Sequence, residues 1–297
     1  MLLQVVHETR YAYGSAVKTA QHQAHLRPRD LPHQTVLRHA LALDPAPAQI
    51  SERTDIWGNV ASFFNLTTAH RGLRVVADSL VRTAPQPQPQ GRMPWDEARE
   101  RMRYHRDARW DPAGEFAFAS PYVPRHADFI AYASPSFTPG RPLAEAAHDL
   151  MSRLHADFAY QPAATDVSTP ALQALAQRRG VCQDFAHVMI GCLRSLRLPA
   201  RYVSGYLLTE PPPGQPRLVG VDASHAWVSV YLPGEGPAGG GLWWDLDPTN
   251  QRPAGEDYVT LAIGRDYGDV APLRGVLHGG AQHQLTVAVT VTPADAS

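Results

Sequence analysis

The chain is poor in cysteine, nearly devoid of lysine, free of long apolar runs and almost neutral, and each shortage closes off a class of protein. Only Cys182 and Cys192 occur among its 297 residues. If both lie on one helix, ten positions apart, about 15 Å of rise separates them. A disulfide tolerates a Cα separation of only about 7 Å. No disulfide framework is therefore expected, which suits a reducing compartment, and a cytoplasmic location follows as the expectation. The formal net charge is −1, so bulk electrostatics gives no reason to expect nucleic acid or an acidic membrane as partner. Lys18 is the single lysine, and arginine carries the remaining positive charge. No apolar stretch reaches the roughly 18 residues of a spanning helix. The opening segment MLLQVVHETRYAYG is interrupted by His7, Glu8 and Arg10, so neither a signal peptide nor a membrane span is expected there.

Several motifs are missing as well. Fourteen histidines invite a metal site, but there is no HExxH and no CxxC. There is no P-loop, no GxGxxG ahead of a helix and no EF-hand loop. Neither a metal nor a cofactor is expected. Arg101, Arg103, Arg106 and Arg109 cluster near Tyr104, His105 and Trp110, but Glu97, Glu100 and Asp107 dilute the charge. A solvated helix face explains that cluster better than nucleic-acid binding.

What is present divides into three parts. Residues 1–85 read as a β-rich domain: LLQVVHETRYAY, LRHALALDP, SERTDIWGNVASFFNLT and HRGLRVVADSLVRT are strand-like runs parted by turn residues. Gly58-Asn59 marks a hairpin between apolar flanks. Residues 86–140 form a linker and mixed connecting segment, entered through the proline- and glutamine-rich TAPQPQPQGRMPW. Within it DEARERMRYHRDARW has helical character, and PYVPRHADFIAYASPSFTPG is broken by prolines. From residue 141 to 297 helices come first and strands follow. PLAEAAHDLMSRLHADF has helical spacing. ALQALAQRR is a second helix, with Thr169 the N-cap candidate and Pro170 at the first helical position, ended or turned at Gly180. CQDFAHVMIGCLRSL is a third, with Phe185, Met189, Cys192 and Leu196 on one apolar stripe. RYVSGYLL, SHAWVSVYL, LWWDLDP and HQLTVAVTVT are strands, the first two joined through the proline-rich EPPPGQPR and the next two through the turn GEGPAGGG. Helices followed by sequential strands predict an α+β fold, helices packed on an antiparallel sheet.

Cys182 follows Gly180-Val181 and opens its helix. Partial positive charge and free N–H groups at a helix N-terminus favour a thiolate, and a tight turn there can aim main-chain N–H groups at a carbonyl. His225 shares a strand face with Trp227, Ser229 and Tyr231, and beside a helix-start cysteine it makes a suitable general base. Asp247 would orient the imidazole. Asp245 would share its face, and Asp247 is favoured because DPTN sets it at the strand end. Cys192 is expected to be inert in the core. Asp184 is read as a dipole partner in the first helical turn and His187 as structural.

Together GVCQDFAHVMI, LPARYVSGYL, SHAWVSVYLPG and DLDPTN closely resemble the transglutaminase-like superfamily, in its bacterial branch. GRDYGDVAPLRGV and the β-rich first part, similar to the bacterial transglutaminase-like N-terminal region, extend the resemblance over nearly the whole chain. The resemblance implies a papain-like core, as in cysteine proteases and transglutaminases, with a Cys-His-Asp triad: Cys182 the nucleophile, His225 the base, Asp247 its orienter. Tyr160 falls where an oxyanion-assisting side chain could stand, though a packed aromatic is the simpler reading. The superfamily holds transglutaminases, proteases, amidases and degenerate members without activity. Its animal transglutaminases use calcium, for which no acidic loop is found here.

The expected function is thiol-dependent acyl transfer on an amide or peptide bond through a thioester, of the peptidase or amidase type, with a protein or peptide as substrate. Amine transfer to a glutamine side chain is the alternative. A non-catalytic peptide-binding scaffold is a third reading, disfavoured by the complete triad.

Overall fold

Alternation of apolar and polar residues turns the first part of the chain into sheet. The computed structural model describes residues 1–106, 110–162, 165–209 and 224–294. Five strands come first: β1 (Leu2–Ala24), β2 (Gln34–Asp44), β3 (Ile50–Thr54), β4 (Val60–Leu66) and β5 (His70–Thr83). Along the start of β1, Leu3, Val5, His7 and Thr9 are buried and the residues between them are not, the two-residue period of a half-buried strand. The expected hairpin forms between β3 and β4. Gly58 takes a φ of 80°, which a residue with a Cβ adopts reluctantly. Asp55 closes the turn by accepting the N–H groups of Trp57 and Asn59, both at 2.8 Å.

After an irregular stretch over residues 84–93, where the proline-rich linker was expected, helices dominate: α1 (Trp95–Arg101), α2 (Ala127–Ala133), α3 (Leu143–Asp157), α4 (Ala171–Gln177) and α5 (Cys182–Ser195). Two short strands, β6 (Ala159–Tyr160) and β7 (Arg179–Gly180), flank α4 and pair in parallel. α1 is shorter than its sequence run. α4 starts one residue later than expected: Pro170 is its N-cap, and no side chain caps it. Thr169 instead accepts the Asp166 N–H at 3.0 Å. Arg178, in the left-handed conformation, ends the helix rather than Gly180. The single apolar stripe read on α5 is a larger correction, since every residue from Gln183 to Arg194 is buried. The helix is enclosed by sheet on one side and by α2, α3 and α4 on others. Even Arg194 is inside, donating to the carbonyls of Phe116, Ala200 and Arg265 and to the Ser120 hydroxyl.

That sheet holds β8 (Ala200–Leu207), β9 (Ser224–Leu232), β10 (Leu242–Asp247), β11 (Arg252–Pro253) and β12 (Tyr258–Gly264). Its order is β11-β10-β9-β8-β12, with every pairing antiparallel. Helices on an antiparallel sheet, preceded by a β-rich unit, are the α+β architecture expected. EPPPGQPR, Asp107 and Arg109 lie outside the described residues. A short helix, α6 (Tyr267–Val270), leads to β13 (Leu273–Gly279) and β14 (His283–Pro293). Both pair with β1; the last strands, grouped with residues 141–297 in the sequence reading, are hydrogen-bonded into the first sheet. No helix among the described residues is long and apolar enough to cross a membrane.

The two sheets are joined by an apolar cluster in which Leu3, Val5 and Val81 meet Tyr206, Val259 and Leu261. Two side-chain amides complete the junction. Gln34 accepts the Thr260 N–H at 2.7 Å and donates to the Thr260 carbonyl at 2.8 Å. Asn59 does the same for Ile263, with both bonds at 2.8 Å. Each amide thus takes the place of a strand residue along the outer side of β12. Asn59→Ala would leave one buried N–H and one buried C=O unpaired, so urea denaturation should report a loss of about 2–4 kcal/mol. A change below about 0.5 kcal/mol would mean that these bonds contribute nothing net.

Candidate active site

Cys182 is the first residue of α5, after an extended Val181. Asp184 shapes the turn: its carboxylate accepts the Val181 N–H at 2.8 Å and the Thr165 hydroxyl at 2.7 Å. Gly180 leaves it room, because a Cβ there would lie 2.4 Å from Asp184 Oδ2. Asp184 therefore caps the helix, in keeping with its first-turn position. Burial raises its proton affinity above that of an ordinary aspartate.

His225 stands near the start of β9 and Asp247 at the end of β10. The antiparallel register, with Leu246 opposite Val228, brings these strand ends together. His225 Nε2 donates to Asp247 Oδ2 at 2.6 Å. The Cys182 thiol lines the same cavity as this ring and is among the neighbours that raise the ring's proton affinity. Since Asp247 takes Nε2, Nδ1 is the nitrogen left for sulfur. Burial alone would lower the proton affinity of this ring. The hydrogen bonds and charges of Asp247 and Cys182 outweigh it and lift the pKa to about 10.

Asp247 is fully buried and held from several sides. Oδ1 accepts the main-chain N–H groups of Thr249 at 2.8 Å and Asn250 at 3.2 Å. Oδ2 accepts, besides His225, Asn250 Nδ2 at 2.7 Å and the Tyr258 hydroxyl at 2.8 Å. Burial pushes the carboxyl up, and these donors, His225 foremost, hold it below the ordinary aspartate range. Asp245 accepts the indole N–H of Trp227 at 3.1 Å instead. Alternation along the strand could not separate the two aspartates; the DPTN turn does, because it folds its own N–H groups back onto Asp247.

Cys182 and His225 line a cavity of about 370 Å³ with Tyr160, Val167, Gln183, Tyr202 and Tyr267. A larger cavity of about 630 Å³ lies against Arg99, Arg125 and Trp110 and touches none of the three candidate residues. Tyr160 is half exposed at the cleft rather than packed away, its ring 6.5 Å from Phe185. His187 is structural: fully buried, it accepts the Tyr267 N–H at 3.2 Å, and burial pushes its pKa down to about 3. Cys192 is sealed in the core, and burial pushes its thiol far up. Among the described residues no group of three His, Cys, Asp or Glu side chains could hold a metal ion.

Sequence reasoning missed the donors Asn250 and Tyr258. It also missed a whole wall of the cleft: His7, Thr9 and Tyr11 from β1, Leu273 from β13, and Leu285 and Val287 from β14. The signal for β1 was its two-residue period, which puts His7, Thr9 and Tyr11 on one face without saying what that face meets.

Residues 3–82 match the bacterial transglutaminase-like N-terminal region, and residues 131–248 match the transglutaminase-like superfamily. An uncharacterized protein of Mycobacterium tuberculosis is 40% identical over 303 residues, covering 98% of this chain and 92% of its own length. One from Mycobacterium leprae is 35% identical over 294 residues, covering 98% of each. A crystal structure from Cytophaga hutchinsonii, provisionally assigned as a cysteine protease, superimposes with a TM-score of 0.75 at 20% identity, covering 100% of this chain and 92% of that one. At that identity the likeness speaks for the fold. With both segments matched in order over a transglutaminase-like and papain-like fold, the chain belongs to the transglutaminase-like superfamily.

Proposed function

We propose that the chain is a cysteine-nucleophile enzyme that cleaves amide or peptide bonds by hydrolysis, with Cys182, His225 and Asp247 as its triad. The observation that carries this reading is one imidazole bonded to a buried carboxylate and sharing with a helix-start thiol a cavity with room for a carbonyl.

With its pKa near 10, the ring holds a proton at neutral pH. The attacking species is the thiolate, whose charge an imidazolium beside it offsets. The thiolate attacks the substrate carbonyl, the C–S bond forms, and the carbonyl π electrons move to oxygen. N–H groups in the first turn of α5 lack intrahelical acceptors, and that of Cys182 would meet this oxyanion. As the oxyanion collapses the C–N bond breaks, and His225 passes its proton to the departing amine. A thioester remains. His225, now neutral, takes a proton from water; hydroxide adds, the C–S bond breaks, and acid and thiolate–imidazolium are restored. Asp247 keeps Nε2 protonated and Nδ1 turned to sulfur. An amine in place of water would give transamidation by the same steps.

Iodoacetamide at neutral pH should label Cys182 far faster than Cys192, and His225→Ala should slow that labelling by about 10²-fold or more; peptide mapping reads both. Equal, slow labelling of the two thiols would favour a non-catalytic scaffold. With a glutamine peptide and a fluorescent amine, ammonia release should exceed amine incorporation; dominant incorporation would make the chain a transferase.

The imidazole also makes stability depend on pH. Its folded pKa of about 10 lies above the ordinary 6.5, so between these values the folded state holds a proton that the unfolded state has lost. Stability from this group is complete below pH 6.5 and is lost as pH rises towards 10. The Tm difference between the wild type and His225→Gln should shrink over that interval, and a constant difference would contradict the assignment.

A further inference from the structure

Large apolar side chains left exposed in one place mark a surface with a partner. Tyr160, Val167, Leu285 and Val287 are 53%, 57%, 52% and 44% exposed. All four line the cavity that holds Cys182 and His225. The last two belong to an ordered feature. In the β1–β14 register His7 faces Val289, Thr9 faces Val287 and Tyr11 faces Leu285. Residues directly opposite in an antiparallel pair project from the same face, so the three pairs form a stripe two strands wide.

The stripe is graded. His7, Thr9 and Val289 are buried, while Val287 and Leu285 open to the cleft. Its polar members are already engaged with each other: His7 Nδ1 meets the Tyr206 hydroxyl at 2.9 Å, and Nε2 meets the Thr9 hydroxyl at 3.1 Å. A ring with both nitrogens occupied offers nothing to an incoming charge. Leu273 and Pro272 continue the apolar surface, and none of the described residues that line the cavity is Asp, Glu, Lys or Arg. A charged side chain laid on this stripe would lose hydration and find no Asp, Glu, Lys or Arg among the described lining residues, whereas an aliphatic or aromatic one would cover exposed carbon.

We propose that the β1–β14 stripe, centred on Tyr11, Leu285 and Val287, is the subsite for an apolar side chain of the acyl donor. The substrate class is then peptides or acyl amides with an aliphatic or aromatic residue beside the bond that is cut. This rests on Cys182 being the nucleophile, and the test separates the two claims.

N-acetylated aminoacyl acyloxymethyl ketones carrying Leu, Phe, Asp or Lys beside the ketone serve as probes. In each the Cys182 thiolate forms a thioether at the methylene carbon and displaces a carboxylate, so no other reactant is required. Intact-mass kinetics should give a second-order inactivation constant at least about 10-fold higher for Leu and Phe than for Asp and Lys. Leu285→Gln and Val287→Thr should each shrink that ratio. Comparable constants for all four probes on the wild-type chain would overturn the subsite without requiring any variant. So would a ratio untouched by both substitutions. Failure of iodoacetamide to label Cys182 would instead remove the nucleophile, and with it the premise.

Discussion

A carboxylate cut off from water must be satisfied by donors, and much of the site follows from how this is done for Asp247. Its two oxygens take hydrogen bonds from His225, Tyr258, Asn250 and two main-chain N–H groups. Those donors come from β9, β12 and the turn after β10. A single buried charge therefore ties three pieces of chain to one point. It also occupies Nε2 of His225 and so sets the orientation of the ring. Removing one donor would leave a buried charge less well compensated, so the set is best understood as a unit.

The N-terminal sheet takes part through β12. That strand carries Tyr258 at one end, and further along it Thr260 and Ile263 are held by Gln34 and Asn59. The amides of the first sheet thus bear on the strand that supplies a donor to Asp247. The same sheet lends His7, Thr9 and Tyr11 to the cleft. The β-rich part is not an appendage to the core: it braces the strand that supplies a donor to Asp247 and lines one side of the cavity.

How much of this could be read from the sequence depended on the range of each signal. Cys182 at a helix start, alternation in SHAWVSVYL and a strand end at DPTN are local, and the structure brings these three residues together. The choice of Asp247 over Asp245 was legible only through the turn residues, whose N–H groups wrap one carboxylate and not the other. The burial of α5 on all sides was not legible. One apolar stripe was read on it, yet the polar Gln183, His187 and Arg194 are buried too and each finds a partner inside. Pairing of β14 with β1 was beyond reach, because period-two patterning states which residues share a face but not which distant strand will lie alongside. The cleft wall was missed for that reason.

The amides of Gln34 and Asn59 have one more consequence. The last strand of a sheet ordinarily exposes a row of unfilled rungs, on which a stray polypeptide can add itself and go on adding. Here the rungs at Thr260 and Ile263 are filled by side chains, which satisfy the backbone without extending it. Such a stopper presents no further ladder outward, so growth of the five-stranded sheet by recruitment of another copy is arrested on that flank.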